Sequence, residues 1–377
     1  MDPSENTSES KMTYSPGASN LSENMNSSQC LYSSDDMDSS EYTDVSEEKD
    51  ESETMEPADG FYSSDNLEIY DCSDSSEEMN WFDSKGEDLL RAAEHGNYER
   101  MLQCFAKGSS PNYENGSRLT ALHIAAEKGH MNIVKLVLDK GADIHAMDKR
   151  GRTALHKAAG GGKEDIVNFL LEQGINIRNK DREQHTALHW AIICRHDTIA
   201  RLLVEKGANV HSKDAHSSTA LSYAASYGME GIVILLLDKG VNIHNIGEFG
   251  RTALHFASKN GHENVVEILL NKGARIHDQD AYGCTALHEA ARNGHENVVK
   301  LLLDKGAGIH EKEDDGLTAL HEAAKSGNEN LVKLLLDRGA NIRDKNDDEE
   351  TAFHIAASKG KENVVKLLLD KGVDIHE

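Results

Sequence analysis

Histidine is the residue type in this sequence with the greatest capacity for chemistry, because an imidazole binds zinc and exchanges protons near neutral pH. The chain has 20 histidines among 377 residues. Most of them recur at regular intervals, and no CxxC or HExxH spacing accompanies them. We therefore predict neither a metal site nor a bound cofactor. The recurring histidines are His123, His156, His189, His255, His288, His321 and His354, then His145, His211, His244, His277, His310 and His376, and His130, His196, His262 and His295.

Motifs of catalysis and phosphate binding are missing from the sequence. It has no nucleophile elbow and no dinucleotide fingerprint, and the segment Gly160–Lys163, three glycines and a lysine, lacks the GxxxxGK[ST] spacing of a phosphate loop. The one basic run, Lys149–Arg152, is too short to follow a nucleic-acid backbone. We predict a protein that is not an enzyme and does not bind nucleic acid.

A threonine that returns every 33 residues organises most of the chain. The stretch from Thr285 to Ile309, TALHEAARNGHENVVKLLLDKGAGI, is the clearest copy of the repeated unit. A fixed period of this size with a T-x-L-H-x-A core is typical of stacked helical repeats. We number the units one to eight by their threonines, which are Thr120, Thr153, Thr186, Thr219, Thr252, Thr285, Thr318 and Thr351.

Each unit predicts two short helices. In unit six, Thr285 is placed to cap the first helix, and Gly294 to end it, because glycine takes a positive φ without steric cost. Asn297 is placed to cap the second helix, which is apolar on nearly all sides from Val298 to Leu303. A helix of this kind must be buried on more than one side, so neighbouring units have to cover it.

The units resemble the ankyrin repeat family in T-A-L-H-x-A-A, in Gly-His, in V-V-K-L-L-L-D-K-G-A and in Asp-x-x-Gly before the next threonine. The resemblance covers about Gly86 to Glu377, with Ala in place of the family's usual Pro after each threonine. It implies an all-α solenoid of stacked helix-turn-helix units with hairpin connections. It also implies that the histidine of T-x-L-H is a structural hydrogen-bonding residue.

The two ends of the repeat array are expected to differ from its middle. Residues 85–116 keep the apolar skeleton of a unit without its Thr and His, which predicts a degenerate N-terminal capping repeat before the eight units of residues 117–377. No polar C-terminal cap is evident. We therefore expect less cover for the last apolar residues of unit eight, Val364, Val365, Leu367 and Leu368.

Units two to four depart most from the repeated pattern. Unit two has Gly160–Gly162 where other units have one glycine, and a glycine within a helix costs roughly 1 kcal/mol relative to alanine. Unit three has Arg195 in place of the glycine that ends the first helix, and unit four has Ser222 in place of the histidine. We expect this stretch to be the least stable.

Residues 1–84 differ in composition from the rest. They hold 23 Asp and Glu and 20 Ser against two Lys, and so contribute −21 to the net charge of −26. Such a segment cannot bury enough apolar surface to fold, and we predict a disordered acidic tail. Ser33 and Ser75 each precede an acidic residue by three positions and are candidate phosphorylation sites. Trp81 and Phe82 are placed either to cover the first repeat or to complete an acidic-hydrophobic activation segment.

Cysteine usage and hydropathy favour an intracellular protein. The five cysteines are far apart and odd in number, which fits free thiols in a reducing compartment. No segment has the 18 or more apolar residues of a membrane span, and the N-terminus lacks the features of a signal peptide. We expect a soluble monomer in the cytoplasm, the nucleus or both.

The resemblance implies a non-enzymatic scaffold or adaptor that binds a protein partner on the concave ankyrin surface. In the family, contacts come from the hairpins and the first helices, at positions that vary between units. The alternative is a phospho-regulated transcriptional coregulator or inhibitor that uses the acidic tail. The predicted protein-binding residues are Lys149, Arg150, Arg152, Ile193, Cys194, His216, Tyr227, Phe249, Tyr282, Asp314, Asp315, Asp347 and Asp348.

Overall fold

The computed structural model describes the backbone of residues 83–373 and the side chains of residues 85–373. Within these residues the chain forms eighteen α-helices in nine consecutive pairs and no β-strand, which confirms the all-α fold of repeated helix pairs. The predictions made from the sequence for residues 1–82, including those for Ser33, Ser75, Trp81 and Phe82, concern residues outside the described range.

One helix pair precedes unit one, and each unit then supplies two helices. The first helix of a unit begins directly after its threonine. In chain order the helices are α1 (Asp83–Glu94), α2 (Tyr98–Ala106), α3 (Ala121–Lys128), α4 (Met131–Asp139), α5 (Ala154–Gly160), α6 (Glu164–Glu172), α7 (Ala187–Ile193), α8 (Asp197–Glu205), α9 (Ala220–Ser226), α10 (Glu230–Asp238), α11 (Ala253–Lys259), α12 (Glu263–Asn271), α13 (Ala286–Arg292), α14 (Glu296–Asp304), α15 (Ala319–Ser326), α16 (Glu329–Asp337), α17 (Ala352–Ser358) and α18 (Glu362–Asp370).

The helix pairs pack on one another in chain order. Each first helix contacts the first helices of its neighbours, as α11 contacts α9 and α13, and each second helix contacts second helices, as α12 contacts α10 and α14. Alanines such as Ala290 and Ala291 are fully buried on the first helices and allow them to approach closely. On the second helices, side chains such as Val299 and Leu302 are fully buried, each stabilising the stack by about 1.5–3 kcal/mol.

A threonine–histidine pair begins the first helix in seven of the eight units. In unit six, His288 Nδ1 accepts from the backbone N–H of Thr285 at 3.2 Å, so the ring proton is on Nε2. His288 Nε2 donates to the carbonyl oxygen of Glu311, in the following hairpin, at 3.0 Å. Burial lowers the pKa of His288, which keeps the ring neutral. This histidine therefore joins its unit to the next one, which confirms the structural role that the resemblance implies.

The second helix begins before the residue predicted to cap it. α14 starts at Glu296, so Asn297 lies inside the helix and the prediction of an Asn297 cap is wrong. His295 precedes the helix, and its Nε2 donates instead to the carbonyl oxygen of Lys259, at the end of the first helix of the preceding unit, at 2.8 Å. Three other histidines make the same bond between units, namely His130 to Glu94, His196 to Gly160 and His262 to Ser226.

The Gly160–Gly162 segment lies where unit two closely approaches unit one. Helix α5 ends at Gly160, and Gly161 follows it with φ −78°. A Cβ atom at position 161 would overlap the carbonyl oxygen of Glu127 in unit one. Gly161 therefore permits the close approach of units one and two. Only Gly160 lies within the helix, so the cost of a glycine within a helix applies to that residue alone, and the lower stability of this stretch stays a prediction.

The burial of unit eight differs from expectation. Val364 and Leu368 are fully buried, so the prediction that they would be less covered than their equivalents is wrong. Val365 is only half-buried, whereas its equivalent Val299 in unit six is fully buried. Burial in unit eight is therefore reduced on the side of α18 that carries Val365.

Several residues other than glycine have a positive φ. Arg195 replaces the glycine that ends a first helix and has φ 59°, with its guanidinium 5.1 Å from the ring centroid of Tyr227. A second group lies two residues before the threonine, where units two, five, six and seven have glycine. An L-residue in this conformation costs roughly 1–2 kcal/mol. This group is Arg118, Gln184, Ser217 and Glu349.

We expect Gln184→Gly to raise the free energy of unfolding by up to about 1 kcal/mol. Glycine relieves the left-handed strain at position 184, and its greater entropy in the unfolded chain cancels roughly 0.5–1 kcal/mol of that gain. Urea unfolding followed by circular dichroism measures the change. Glu183→Gly, one residue earlier at an ordinary φ, is the matched control and should lower the midpoint. If Gln184→Gly does not raise the free energy of unfolding, position 184 is not strained.

Candidate functional site

The hairpins place the variable residues of the units side by side. We assign each hairpin to the unit whose threonine follows it, and we call the surface of the hairpins and first helices the hairpin face. Backbone hydrogen bonds of 2.7–3.1 Å join neighbouring hairpin tips. The donor and acceptor residues are Lys149 and Ser117, Arg182 and Arg150, Ala215 and Glu183, Ala281 and Phe249, Asp314 and Tyr282, and Asp347 and Asp315.

Two aromatic side chains are exposed at the tips of units five and six. Phe249 is 45% exposed and Tyr282 is 46% exposed. Their ring centroids lie 5.8 Å apart with the ring planes tilted by 39°. The buried guanidinium of Arg251 lies 5.8 Å from the centroid of Phe249 and supports that ring from beneath the surface. The structure therefore brings these two predicted residues together as one apolar patch.

The basic residues of unit two differ in exposure. Lys149 is exposed and Arg150 is half-buried. Arg152 Nη2 lies 2.8 Å from Asp148 Oδ2, and its guanidinium lies 5.6 Å from the ring centroid of Trp190. Arg152 is half-buried and its charge is neutralised by Asp148, and its role as a partner contact stays a prediction.

The acidic residues of units seven and eight lie on the surface. Asp314, Asp315, Asp347 and Asp348 are all exposed. None of the four forms an ion pair within the part of the chain that the structure describes. Their charges therefore face solvent, where a partner with positive charge could neutralise them.

The predicted residues of units three and four are less accessible. Ile193 and Tyr227 are half-buried, and Tyr227 stacks on Tyr223 with a centroid distance of 6.5 Å. Cys194 is buried, which contradicts its prediction as a surface contact. His216 is exposed, and its Nδ1 lies 3.5 Å from Glu248 Oε1 in the next hairpin.

A buried polar cluster lies beneath the hairpins of units three and four. His185 Nδ1 lies 3.6 Å from Asp181 Oδ2, and its Nε2 lies 3.5 Å from Asp214 Oδ2. The same Asp214 oxygen accepts from the Tyr223 hydroxyl at 2.7 Å, and Asp181 Oδ2 accepts from Trp190 Nε1 at 2.8 Å. Burial opposes a charge on His185, but the two carboxylates outweigh it and raise the pKa of His185 to about 9.

A second buried cluster lies beneath the hairpins of units five to seven. Arg251 bonds Asp280 Oδ2 at 3.1 Å and Glu289 Oε1 at 2.9 Å. In the same cluster Arg292 Nη2 bonds Glu313 Oε2 at 2.8 Å, and Arg292 Nε bonds Glu322 Oε2 at 3.1 Å. Two arginines thus neutralise part of the charge of four buried carboxyl groups, and burial raises the pKa of Glu313.

Three residues of the second cluster have the ligand types of a metal site. The ligand atoms of Asp280, Cys284 and Glu289 lie within 4.8 Å of one another. However, Arg251 already binds both carboxylates, and Cys284 Sγ donates to Glu313 Oε2 at 2.6 Å. Burial also raises the pKa of the Cys284 thiol, whereas a metal needs the thiolate. These residues therefore fit an ionic network better than a metal ion.

The clusters could have been found from the sequence, because recurring pairs of side chains that contact each other between units are 38 residues apart. The residue before the threonine of one unit contacts the fourth residue of the next unit's first helix. The pairs are Arg152 with Trp190, His185 with Tyr223, and Arg251 with Glu289. Sequence reasoning missed them because each unit was read alone.

A family model described as "Ankyrin repeats (3 copies)" matches five overlapping segments of the chain, residues 89–181, 137–214, 176–246, 221–313 and 305–377. The chain belongs to the ankyrin repeat family. Comparison with curated proteins gives no match.

Ankyrin repeats are generally protein–protein interaction modules, and the family is typically non-enzymatic. The exposed hairpin tips of this ankyrin stack carry side chains that vary from unit to unit, and the buried clusters lie beneath those tips. Within residues 83–373, no helix combines the length and apolar character needed to cross a membrane.

We expect the stability of the ankyrin stack to fall on both sides of pH 6.5. The pKa of His185 is about 9 in the folded chain and near 6.5 when unfolded, so its contribution is full below pH 6.5 and is lost as pH rises to 9. His156 and His189 have pKa values of about 4 because of burial, so their contribution is lost as pH falls from 6.5 to 4.

His185→Gln separates the two limbs of this pH profile. The variant should lose the decline in stability between pH 6.5 and 8.5, which we expect to be about 1–3 kcal/mol, and should keep the acid limb. Urea midpoints measured from pH 4 to 8.5 give the profile. The control His145→Gln changes an exposed histidine and should keep both limbs. An unchanged alkaline limb in His185→Gln would show that His185 does not titrate in this range.

Proposed function

We propose that this ankyrin stack is a non-enzymatic adaptor that binds a protein partner on its hairpin face, with Phe249 and Tyr282 as the central anchor. The observation that carries the proposal is the contact between these two rings although almost half of each side chain is exposed. Aromatic residues near the centre of an interface dominate binding energy when a partner excludes water from them.

The position of Phe249 and Tyr282 is fixed before any partner binds. The N–H of Ala281 donates to the Phe249 carbonyl at 2.7 Å, and the N–H of Asp314 donates to the Tyr282 carbonyl at 3.0 Å. Arg251 supports Phe249 from the buried side while bonded to Asp280. A rigid apolar patch loses little conformational entropy on binding, which favours its use as an anchor.

The charges on either side of the aromatic pair favour one orientation of the partner. Lys149 and Arg150 lie on the side of unit two, and exposed aspartates lie at the tips of units seven and eight. Complementary charge steers association and fixes the register of a complex. We propose that the partner places basic residues over units seven and eight and acidic or polar residues over unit two.

The finer parts of this proposal rest on the sequence. We propose a monomer without nucleic-acid or membrane partners, located in the cytoplasm, the nucleus or both. A coregulator that acts through the acidic tail would use residues 1–84, with Ser33 and Ser75 as its phosphorylation sites. That alternative predicts partner binding that survives changes on the hairpin face.

We expect Phe249→Ala combined with Tyr282→Ala to weaken partner binding by about 2 kcal/mol or more, because both anchors are lost. The partner is first isolated with the full chain by affinity purification and mass spectrometry, and its Kd is then measured by calorimetry. Leu102→Ala combined with Leu369→Ala is the matched control, since it removes two other exposed apolar side chains from second helices. Both variants should keep their helical signal and unfolding midpoint. Normal binding by the aromatic variant would place the site elsewhere, and deletion of residues 1–84 then tests the tail.

We expect charge reversal at the acidic tips to slow association more than it speeds dissociation. Asp314→Lys with Asp315→Lys should lower the association rate at low salt, and the difference from the parent protein should shrink as salt screens the charges over about 8–10 Å. Stopped-flow fluorescence at two salt concentrations measures this. Asp304→Lys, on the second helix of unit six, is the control. An association rate independent of these charges would contradict the proposed orientation.

A further inference from the structure

The hairpin tips of units four and five lack the backbone hydrogen bond that joins the others. From Ser117 to Asp347, every other pair of neighbouring tips is bonded, but no bond joins Glu248 N–H to the His216 carbonyl within the described residues. The side chains of His216 and Glu248 approach each other, at 3.5 Å, and both are partly exposed. Phe249 and Gly250 both have a positive φ in this hairpin, at 55° and 73°, so the tip has a different backbone path.

The same interface also lacks the bond made by the histidine of T-x-L-H. Ser222 replaces the histidine in unit four, and its hydroxyl lies 3.2 Å from Thr219 Oγ1 at the start of α9. Serine has no second polar atom to reach the carbonyl of Arg251. In the next interface, His255 Nε2 bonds the equivalent carbonyl, that of Cys284, at 3.0 Å.

The interface between units three and four provides a comparison. His189 Nε2 also has no hydrogen-bond partner in the described chain. There, however, Ala215 N–H donates to the Glu183 carbonyl at 2.9 Å, and His185 of unit three lies 3.2 Å from the Tyr223 hydroxyl of unit four. At the level of the hairpins, the loss of the histidine bond is therefore offset between units three and four and is not offset between units four and five.

The two buried polar clusters end on either side of the same interface. The first ends at Asp214 and Tyr223 in unit four, and the second begins at Arg251 in unit five. Gly247 occupies the position of Asp214 in its own hairpin. A Cβ atom there would lie 2.8 Å from Ser218 Oγ and 3.3 Å from Ser218 Cα, so a carboxylate cannot take this place without a shift.

Apolar packing and a few bonds between helix ends remain at this interface. α9 packs on α11 and α10 packs on α12, and His262 Nε2 donates to the Ser226 carbonyl at 2.9 Å. Three further side-chain bonds join the two units away from the hairpins, from Asn260 to Ser226, Asn264 to Glu230 and Lys272 to Asp238. Apolar packing is not directional, whereas the missing hydrogen bonds would fix the relative position of the two hairpins. The stability of a repeat array depends on the strength of each interface, and its cooperativity fails where one interface is weak.

We propose that the interface between units four and five is a joint at which the stack opens into two cooperative blocks, residues 85–246 and 247–373. Each block keeps its own buried polar cluster and its own bonded hairpin tips when the joint opens. The proposal is independent of the partner-binding function, since it concerns the free protein. Loss of partner binding in the aromatic variant has no bearing on it.

Native-state hydrogen exchange of the full chain at low denaturant, followed by mass spectrometry, tests the joint. Peptides from α5 to α10 should share one opening free energy and peptides from α11 to α16 another, with a step between Asp238 and Ala253. Ser222→His should restore the bond to the Arg251 carbonyl and slow exchange of the less stable block about tenfold, which corresponds to about 1.4 kcal/mol. His255→Ser removes the equivalent bond one interface later, where the bond from Ala281 N–H to the Phe249 carbonyl and the ion pairs of Arg251 remain, and it should create no second step between Asn271 and Ala286.

Exchange that changes smoothly across Asp238–Ala253, or one opening free energy for all helices, would overturn the joint. A folded Ser222→His variant that keeps the step at full size would also overturn it. If Ser222→His does not fold, His255→Ser decides the matter. A second step in that variant as large as the step at the joint would show that bonded hairpin tips and buried ion pairs do not hold neighbouring units together, and it would overturn the proposal.

Discussion

Each helix pair in this chain is too small to bury its own apolar side chains, and the rest of the structure depends on that constraint. Val299 of unit six is fully buried where second helices cover α14 on both sides, whereas its equivalent in unit eight, Val365, is only half-buried. Since apolar packing has no direction, it cannot by itself set how one unit sits on the next. The bonds from His288 to Glu311 and from His295 to Lys259 supply that direction. The regular stack therefore combines non-directional cover with directional bonds between units.

The fold could be predicted well from the sequence because the 33-residue period repeats both the apolar packing residues and the residues that make hydrogen bonds between units. The threonine, the histidine and the apolar residues of the second helix could be assigned from one unit alone. Contacts between units were harder to predict. Arg152 occupies a variable position and carries a charge, so it resembled a fully exposed surface contact, but it is half-buried, with Asp148 as its counterion and the ring of Trp190 from the next unit beside it. Cys194 was misjudged for the same reason, since only the packed neighbours show that it is buried.

The buried charges have a different physical role from the apolar core. Removing one member of a buried ion pair leaves an unpaired charge and costs roughly 3–5 kcal/mol, although the intact pair contributes little net stability. Arg251 can be satisfied only by a neighbour that presents Asp280 and Glu289, and Arg292 only by one that presents Glu313 and Glu322. Units five, six and seven are therefore matched to one another, in addition to sharing the common repeat skeleton. We interpret this matching as a reason why near-identical units keep one order of packing.

The joint and the candidate binding surface share one hairpin. Glu248 faces His216 across the joint, and the next residue, Phe249, contacts Tyr282 on the exposed surface. A partner that contacts His216 and Phe249 together touches both blocks, so it binds the closed joint more tightly than the open one. Thermodynamic linkage then requires that this partner stabilise the closed joint by the same difference in binding free energy. A partner limited to Phe249, Tyr282 and the acidic tips touches one block only and leaves the joint unchanged. The coupling between binding and opening thus depends on how far the partner extends past Phe249 toward unit four.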